Sequence, residues 1–336
     1  MKKILYIGNK LSEKGKTEST IDTLGKGLSS LGFNVTYAST YSNMILRFLD
    51  MLWGVFKHRK TTDYVLIDTY STLNFYYAYT VSQLCRYFKL KYVPILHGGE
   101  LPKRLKKSPR LSQALFKHAY KNVAPSQYLK SHFEANNFNN LVFIPNSIKI
   151  GCYKFQLRIY ESVNLLWVRS FSKIYNPSLA IKILKALKDE NIEVKLCMIG
   201  PEKDGSLEAS KLLAEKLKIE VEFTGRLSKQ EWHKKAEDYN VFINTTTIDN
   251  APVSVIEAMA LGLPVISTNV GGMPFLIKNN KEGILVESNN TKAFLSAIKE
   301  IAFNPVKANE ISNEARKKVE DYDWEKVKLQ WRNLLS

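Results

Sequence analysis

Short apolar, β-branched runs alternate with longer amphipathic stretches along the whole chain. Lys3–Gly8 reads as a strand, Ser19–Leu31 as a helix with Gly32 as its stop, and Asn34–Ala38 as a second strand. Asp63–Asp68, Tyr92–His97, Asn122–Pro125 and Val142–Pro145 continue the rhythm. It restarts at Asn164–Arg169, Glu193–Gly200, Glu220–Gly225, Val241–Asn244 and Pro264–Ser267. Strands that alternate with helices imply doubly wound parallel sheets. Two such series, joined near Pro145–Tyr153, imply two Rossmann-like domains facing across a cleft, which suits a length of 336 residues. Ligands of open α/β sheets bind beyond the carboxyl ends of the strands, so one such end in each domain is expected to face the cleft. The expected division is a first domain over residues 1–150, a second over 151–310, and a closing segment, 311–336, packing back on the first. Trp324 and Trp331 give that segment the look of an amphipathic helix.

The stretch from Asp249 to Gly272 carries the most chemistry. Pro252 opens an apolar run that Gly262 closes, which is how a short helix is punctuated. Pro264–Thr268 follows as a buried strand, and Gly271-Gly272 as a turn. The first N–H groups of the helix, near Val253 and Ser254, have no partner inside it, and its dipole favours negative charge, so an anion fits there. Asp249 just ahead of such a site makes sense if it faces a neutral, hydroxyl-rich group beside the anion. Glu257 lies about one and a half turns in, where a carboxylate can accept both hydroxyls of a ribose. A phosphate at the helix start, a ribose on one acid and a sugar on the other describe a nucleotide sugar.

The same residues resemble the donor-binding signature of glycosyltransferase family 4, the retaining GT-B enzymes. That signature is an acid, seven residues, a second acid, then Ala-Met-Ala, Gly-x-Pro-Val-Ile and Gly-Gly. Here it reads Asp249, Glu257, Ala258-Met259-Ala260, Gly262–Ile266 and Gly271-Gly272. Asp249 is one methylene shorter than the Glu usual at its place. The resemblance implies an α/β, GT-B protein that moves a hexosyl unit from a nucleotide-diphosphate sugar, with retention and without a metal. The acceptor would be a glycan or a lipid-linked molecule in surface polysaccharide or glycoconjugate biosynthesis, and the nucleotide sugar would be substrate, with no cofactor. Glu257 would hold the ribose and Asp249 would orient the donor sugar. His97, followed by Gly98-Gly99, matches a His that such enzymes carry near the sugar and the attacking hydroxyl, and Glu100 is a further candidate for the acceptor proton. Arg169 matches the Arg of an Arg–Lys pair that clamps the diphosphate, a leaving group that gains charge as the bond breaks. The Lys of that pair is less well matched, because Lys173 arrives early and Asn176-Pro177 replaces Lys-Gly. The loop from Gly8 through Lys10 and Lys16 lines the site in similar enzymes. It is no phosphate loop, since Lys10 stands where that motif needs Gly.

Charge separates the two halves. Residues 1–150 carry 22 Lys/Arg against 8 Asp/Glu, a net of +14, and the remainder carries 27 against 24, a net of +3. Such a field implies an anionic partner: a membrane surface, a lipid-linked phosphate or nucleic acid. Met44, Phe48, Leu52, Val55 and Phe56 fall near one helical face that ends in Lys57–Lys60. Core packing fits this pattern, and so does an interfacial helix with Trp53 and Phe56 at headgroup level. Lys103, Arg104, Lys106 and Lys107 in the same half favour the membrane. Cys85, Cys152 and Cys197 have no Cys-x-x-Cys or His pairing and point to a reducing compartment without a zinc site. No signal-peptide pattern opens the chain and no run of about 18 apolar residues occurs. The expected place is therefore the cytoplasm, peripheral at most on the inner membrane face. Two other readings compete. A non-hydrolysing sugar-nucleotide epimerase would need several acids and a His gathered between the domains, and only His97 offers itself. A basic nucleic-acid-binding protein would have no use for Asp249 and Glu257, so no nucleic-acid partner is expected.

Overall fold

The computed structural model describes residues 1–11, 19–38 and 40–336. The chain forms two compact units, Met1–Ser147 with Trp324–Ser336, and Ile148–Asp323. The first contains β1 (Lys3–Ile7), β2 (Asn34–Ala38), β3 (Tyr64–Thr69), β4 (Lys91–Leu96), β5 (Asn122–Ala124) and β6 (Leu141–Phe143), in the order β2-β1-β3-β4-β5-β6. The second contains β7 (Val163–Val168), β8 (Val194–Ile199), β9 (Glu222–Gly225), β10 (Val241–Asn244), β11 (Val265–Thr268) and β12 (Ile284–Val286), in the order β12-β11-β10-β7-β8-β9. All neighbouring strands are parallel. Each sheet starts inside and reverses direction of growth, between β1 and β3 in one unit and between β7 and β10 in the other. These are the switch points where such sheets open a crevice for ligands.

Both sheets are covered on both faces, which is why their strands are near-continuous apolar runs. In the first unit Leu5, Ile7, Val65 and Ile67 face one side, and Ile4, Tyr6, Tyr64 and Leu66 the other. The second of these sides is closed by α1 (Thr20–Ser30), through Ile21, Leu24 and Leu28, and by Val327, Trp331 and Leu335 of the last helix, Trp324–Leu335. The first side is closed by α2 (Met44–His58) and α3 (Asn74–Tyr87), through Met51, Val55, Phe75 and Val81. In the second unit Leu165, Trp167 and Ile243 pack on the helices Pro177–Asp189 and Thr291–Ala302, and Leu166, Phe242 and Val265 pack on the helix Val253–Ala260.

Eleven strands are those that the apolar rhythm predicts; β12 is the addition, three residues that are too short to display a period. The stretch 311–336 is divided between the units. Pro305–Val319 is a helix of the second, and the return to the first begins at Trp324. Pro252 is the N-cap residue, one place before the helix, because its ψ of 123° is extended. On α2 the expected face is split: Val55 is buried and Phe48 and Leu52 pack against the core, while Met44 and Phe56 are exposed.

Candidate active site

The loops beyond β7 and β10 flank the switch point of the second unit and carry Arg169 and Asp249. The two side chains form an ion pair, each about one-eighth exposed at 13%. The Arg169 guanidinium lies over the Tyr175 ring, 3.9 Å from its centroid, and its buried Nε has no hydrogen-bond partner. Asp249 Oδ1 also accepts the Asn250 N–H at 3.0 Å. The loops are tied together by a run of threonines. The Thr247 N–H donates to Ile174 O at 2.8 Å, and the Thr245 hydroxyl donates to Tyr175 O at 2.8 Å while accepting from Trp167 Nε1 at 3.0 Å. The turn after β11 presses on the same loop, with the Gly272 N–H bound to Asp249 O at 2.9 Å. A Cβ on Gly271 would overlap that carbonyl, and one on Gly272 would overlap Asn250 O. The glycine pair is therefore what lets the turn set the height of Asp249.

A few residues on, the helix Val253–Ala260 begins without a side-chain cap. Pro252 has no N–H, so the first donors are those of Val253 and Ser254. The Ser254 hydroxyl is buried without a partner. One face of this helix buries Glu257, whose Oε1 accepts from the Tyr153 hydroxyl at 2.7 Å and pairs with Lys229 Nζ at 3.2 Å. Tyr153 in turn contacts the His233 ring, with centroids 4.6 Å apart. Burial, reinforced by the Glu257 charge, raises the Tyr153 hydroxyl well above the usual phenol range. Burial, with the Lys229 charge adding to it, lowers His233 to about 4, so this ring is neutral at pH 7. Lys173 is exposed and opens a short 3-10 turn, Lys173–Tyr175. Its backbone N–H is bound to Asp204 at 3.0 Å. Hydrogen bonds from Ser206, Ser172 and that N–H hold the Asp204 carboxyl at about 2. Asp204 thus pins the turn on which Tyr175 supports Arg169.

In the first unit the carboxyl ends of β1, β3 and β4 bring Gly8, Asp68 and His97 together. His97 Nε2 lies 2.8 Å from Asp68 Oδ1, and the Tyr6 hydroxyl donates to the same oxygen at 3.0 Å. A carboxylate only accepts, so Nε2 is the donor of this bond, which leaves Nδ1 as the outward nitrogen. The Tyr70 ring stacks on the imidazole at 5.2 Å, and the Tyr77 hydroxyl fixes the Asp68 carbonyl at 2.8 Å. Asp68 is 1% exposed, and its Oδ2 is buried without a partner. A Cβ on Gly8 would overlap that oxygen. Burial first and the Asp68 charge second raise the hydroxyls of Tyr6 and Tyr70. The other expected residues lie farther out in role. Lys10 sits over the Tyr37 ring at 5.1 Å. Glu100 is the N-cap residue of the helix Leu101–Lys107 and pairs with Lys103 at 2.8 Å. Lys16 lies outside the described residues.

Three contributors escape a reading of the sequence. Asp68 did leave a signal, because a carboxylate closing a fully buried apolar strand is costly unless something uses it. Tyr153 and Lys229 left none, as nothing local marks a loop tyrosine or a helix-surface lysine as a partner of Glu257.

Two Rossmann-like units of this topology make the GT-B fold, the fold of a large class of sugar-transferring enzymes. Residues 153–318 match the profile of the family described as glycosyl transferases group 1. An uncharacterized glycosyltransferase of Haemophilus influenzae is 26% identical over 200 residues, 59% of this chain and 55% of its own. The putative colanic acid biosynthesis glycosyltransferase WcaL of Escherichia coli is 28% identical over 170 residues, 47% and 41% of the two chains. The chain thus spans about half or less of the length of these curated relatives. Among solved structures, sucrose-phosphate synthase from Thermosynechococcus elongatus superposes with a TM-score of 0.84 at 15% identity, over 99% of this chain and 98% of that one. Anabaena HepE in complex with UDP-glucose gives 0.76 at 16% identity, over 99% of both chains.

Proposed function

We propose that the protein is a retaining, metal-independent glycosyltransferase that moves a hexosyl unit from a nucleoside-diphosphate sugar to a glycan or lipid-linked acceptor, in the making of a surface polysaccharide or glycoconjugate. The observation that carries this reading is the grouping, at one switch point, of Arg169, Asp249, an uncapped helix start and the buried Glu257. Each element suits one part of the donor. The guanidinium and the N–H groups of Val253 and Ser254 take the diphosphate, whose charge grows as the glycosidic bond breaks. Glu257 accepts the ribose hydroxyls, held in place by Tyr153 and Lys229. Asp249, paired with Arg169, orients the donor sugar next to the phosphate that Arg169 binds. The first unit takes the acceptor, with His97 Nδ1 offered to a hydroxyl by the Asp68 contact. In the front-face course that retention implies, the departing phosphate oxygen receives the acceptor proton while the new glycosidic bond forms on the face that the nucleotide leaves.

The test is a panel of UDP-, GDP- and ADP-sugars with released nucleotide as readout. UDP-sugars come first, because the HepE structure is a UDP-glucose complex. Nucleotide release on one donor class, and a product whose anomeric configuration by NMR equals that of the donor, are expected. An inverted product would remove retention. Isomerised donor without nucleotide release would replace transfer by epimerisation.

A further inference from the structure

Helix α2 is apolar on two sides, and only one of them is used. Met51 and Val55 are buried in the core, with Phe48 and Leu52 packed against it. Ile45, Leu49, Trp53 and Phe56 recur every four, four and three residues, so they stack on one other face. They are 67%, 54%, 59% and 42% exposed, with Leu46 beside them at 51%. A helix that is hydrophobic all round is not a surface helix of an ordinary soluble domain. Contiguous exposure of this kind marks a contact surface.

The rim of the patch says what covers it. At its carboxyl end Trp53 stacks on Phe56 at 5.6 Å, Phe56 meets Phe88 at 6.1 Å, and Phe88 meets the exposed Tyr87 at 5.1 Å. The Arg59 guanidinium lies 3.9 Å from the Phe56 centroid. Lys57, Lys60, Arg86 and Lys89 complete a rim in which Asp50 is the one acid between residues 41 and 60. Two copies meeting through this face would bring two cationic rims together. An anionic lipid surface instead meets the cations with opposite charge and the aromatic side chains with the headgroup boundary they favour. Among the described residues no helix is long and apolar enough to cross a bilayer, so contact of this kind is interfacial.

We infer that α2, with the aromatic–basic end of α3 and the residues just after it, is a docking face for anionic membrane. It is distinct from the lysines of Leu101–Lys107, where apolar residues are buried: Leu101 and Leu105 are 0% and 4% exposed. That second helix offers charge without an insertable face.

The experiment is flotation of the full chain with zwitterionic vesicles containing about one-third anionic lipid, at low and raised salt. Three proteins are compared: wild type, I45S/L49S/W53S, and K103Q/K106Q/K107Q. The altered side chains on α2 are exposed, and an unchanged melting curve checks that the fold survives. Wild type is expected to float with anionic vesicles, less at raised salt, and not with purely zwitterionic ones. The α2 variant is expected to lose about tenfold or more in partition, whereas the lysine variant loses less. Fluorescence offers a second readout, since the blue shift on vesicle addition should vanish in Trp53→Phe alone. Equal flotation of the α2 variant and wild type would overturn the assignment, as would complete loss in the lysine variant. A wild-type dimer in sedimentation velocity, abolished by the α2 changes and without vesicle binding, would give the face to a second copy instead.

Discussion

The two units share parallel six-stranded sheets and an internal switch point, yet they arm the carboxyl ends of their strands differently. In the second unit the groups there are a guanidinium, helix N–H donors and two carboxylates, the set that charged phosphates and their sugar hydroxyls demand. In the first unit the group is an imidazole backed by a buried carboxylate and flanked by tyrosines, with no cation bonded to it among the described residues. On the proposed function, one end takes an anion and the other a neutral hydroxyl. The surface charge runs the other way, since the excess positive charge of the chain sits almost wholly in residues 1–150, the half whose strand ends carry the imidazole. A common fold thus leaves the chemistry to a few loop residues.

The sharpest way to break this contrast is to remove the cation from the anion-binding end. Arg169→Ala should lower kcat/KM by about 10²–10³-fold, the usual cost of losing a preorganised donor to a developing anion. Part of that loss reflects Asp249 left without its partner. Steady-state kinetics with a turned-over donor measures it, and a loss below threefold would take Arg169 out of the diphosphate site.

Asp68→Asn should lower kcat roughly a hundredfold, the cost of misplacing an acceptor hydroxyl that His97 Nδ1 is proposed to position, while KM for the donor stays put. Asn can donate to His97, which lets the imidazole adopt the other tautomer and turns Nδ1 from acceptor to donor. The pH profile of kcat should shift in the variant, a change that mere loosening of the fold would not cause. Unchanged kcat would leave Asp68 as a structural acid.

Asp249→Asn should divide the two ligand parts. Turnover with the full donor falls by about tenfold, the worth of one charge-assisted hydrogen bond, and calorimetric affinity for the free nucleoside diphosphate hardly changes. Equal losses for both ligands would move Asp249 away from the sugar.

How far the sequence speaks depends on whether a feature is local. The strands of both sheets were legible because a strand covered on both faces must be apolar throughout, and β12 was not because three residues hold no pattern. Asp249, the helix start and Glu257 were legible because they lie within one contiguous stretch whose prolines and glycines mark its turns. Their partners were not. Tyr153 lies 104 residues from Glu257 along the chain, and Asp68 lies 29 residues before His97. Only the ordering of strands makes neighbours of the last two. The use of Gly271 and Gly272 was equally hidden, since what they touch is the backbone of Asp249 and Asn250.

The smallest effect concerns pH. His233 is neutral in the fold down to about 4, against an ordinary value near 6.5, so between these values the unfolded chain binds the extra proton. Stability is therefore full above about pH 6.5 and declines as pH falls toward 4. Because the ring is partly exposed, roughly 1 kcal/mol is expected rather than the full linkage of the shift. Chemical denaturation of wild type and His233→Gln at pH 7 and pH 5 measures it, and parallel losses in both proteins would assign the acid sensitivity to other groups.

The most direct test of nucleotide binding by the second unit is calorimetric titration of wild type and Glu257→Gln with the nucleoside diphosphate of the active donor. The Gln side chain keeps the volume and one acceptor for Tyr153 but gives up the charge proposed to bind the ribose hydroxyls. The expected result is a loss of about 1–3 kcal/mol, ten- to more than a hundredfold in Kd, with an unchanged melting temperature. Equal affinity in the two proteins would contradict the placing of the nucleotide on Glu257.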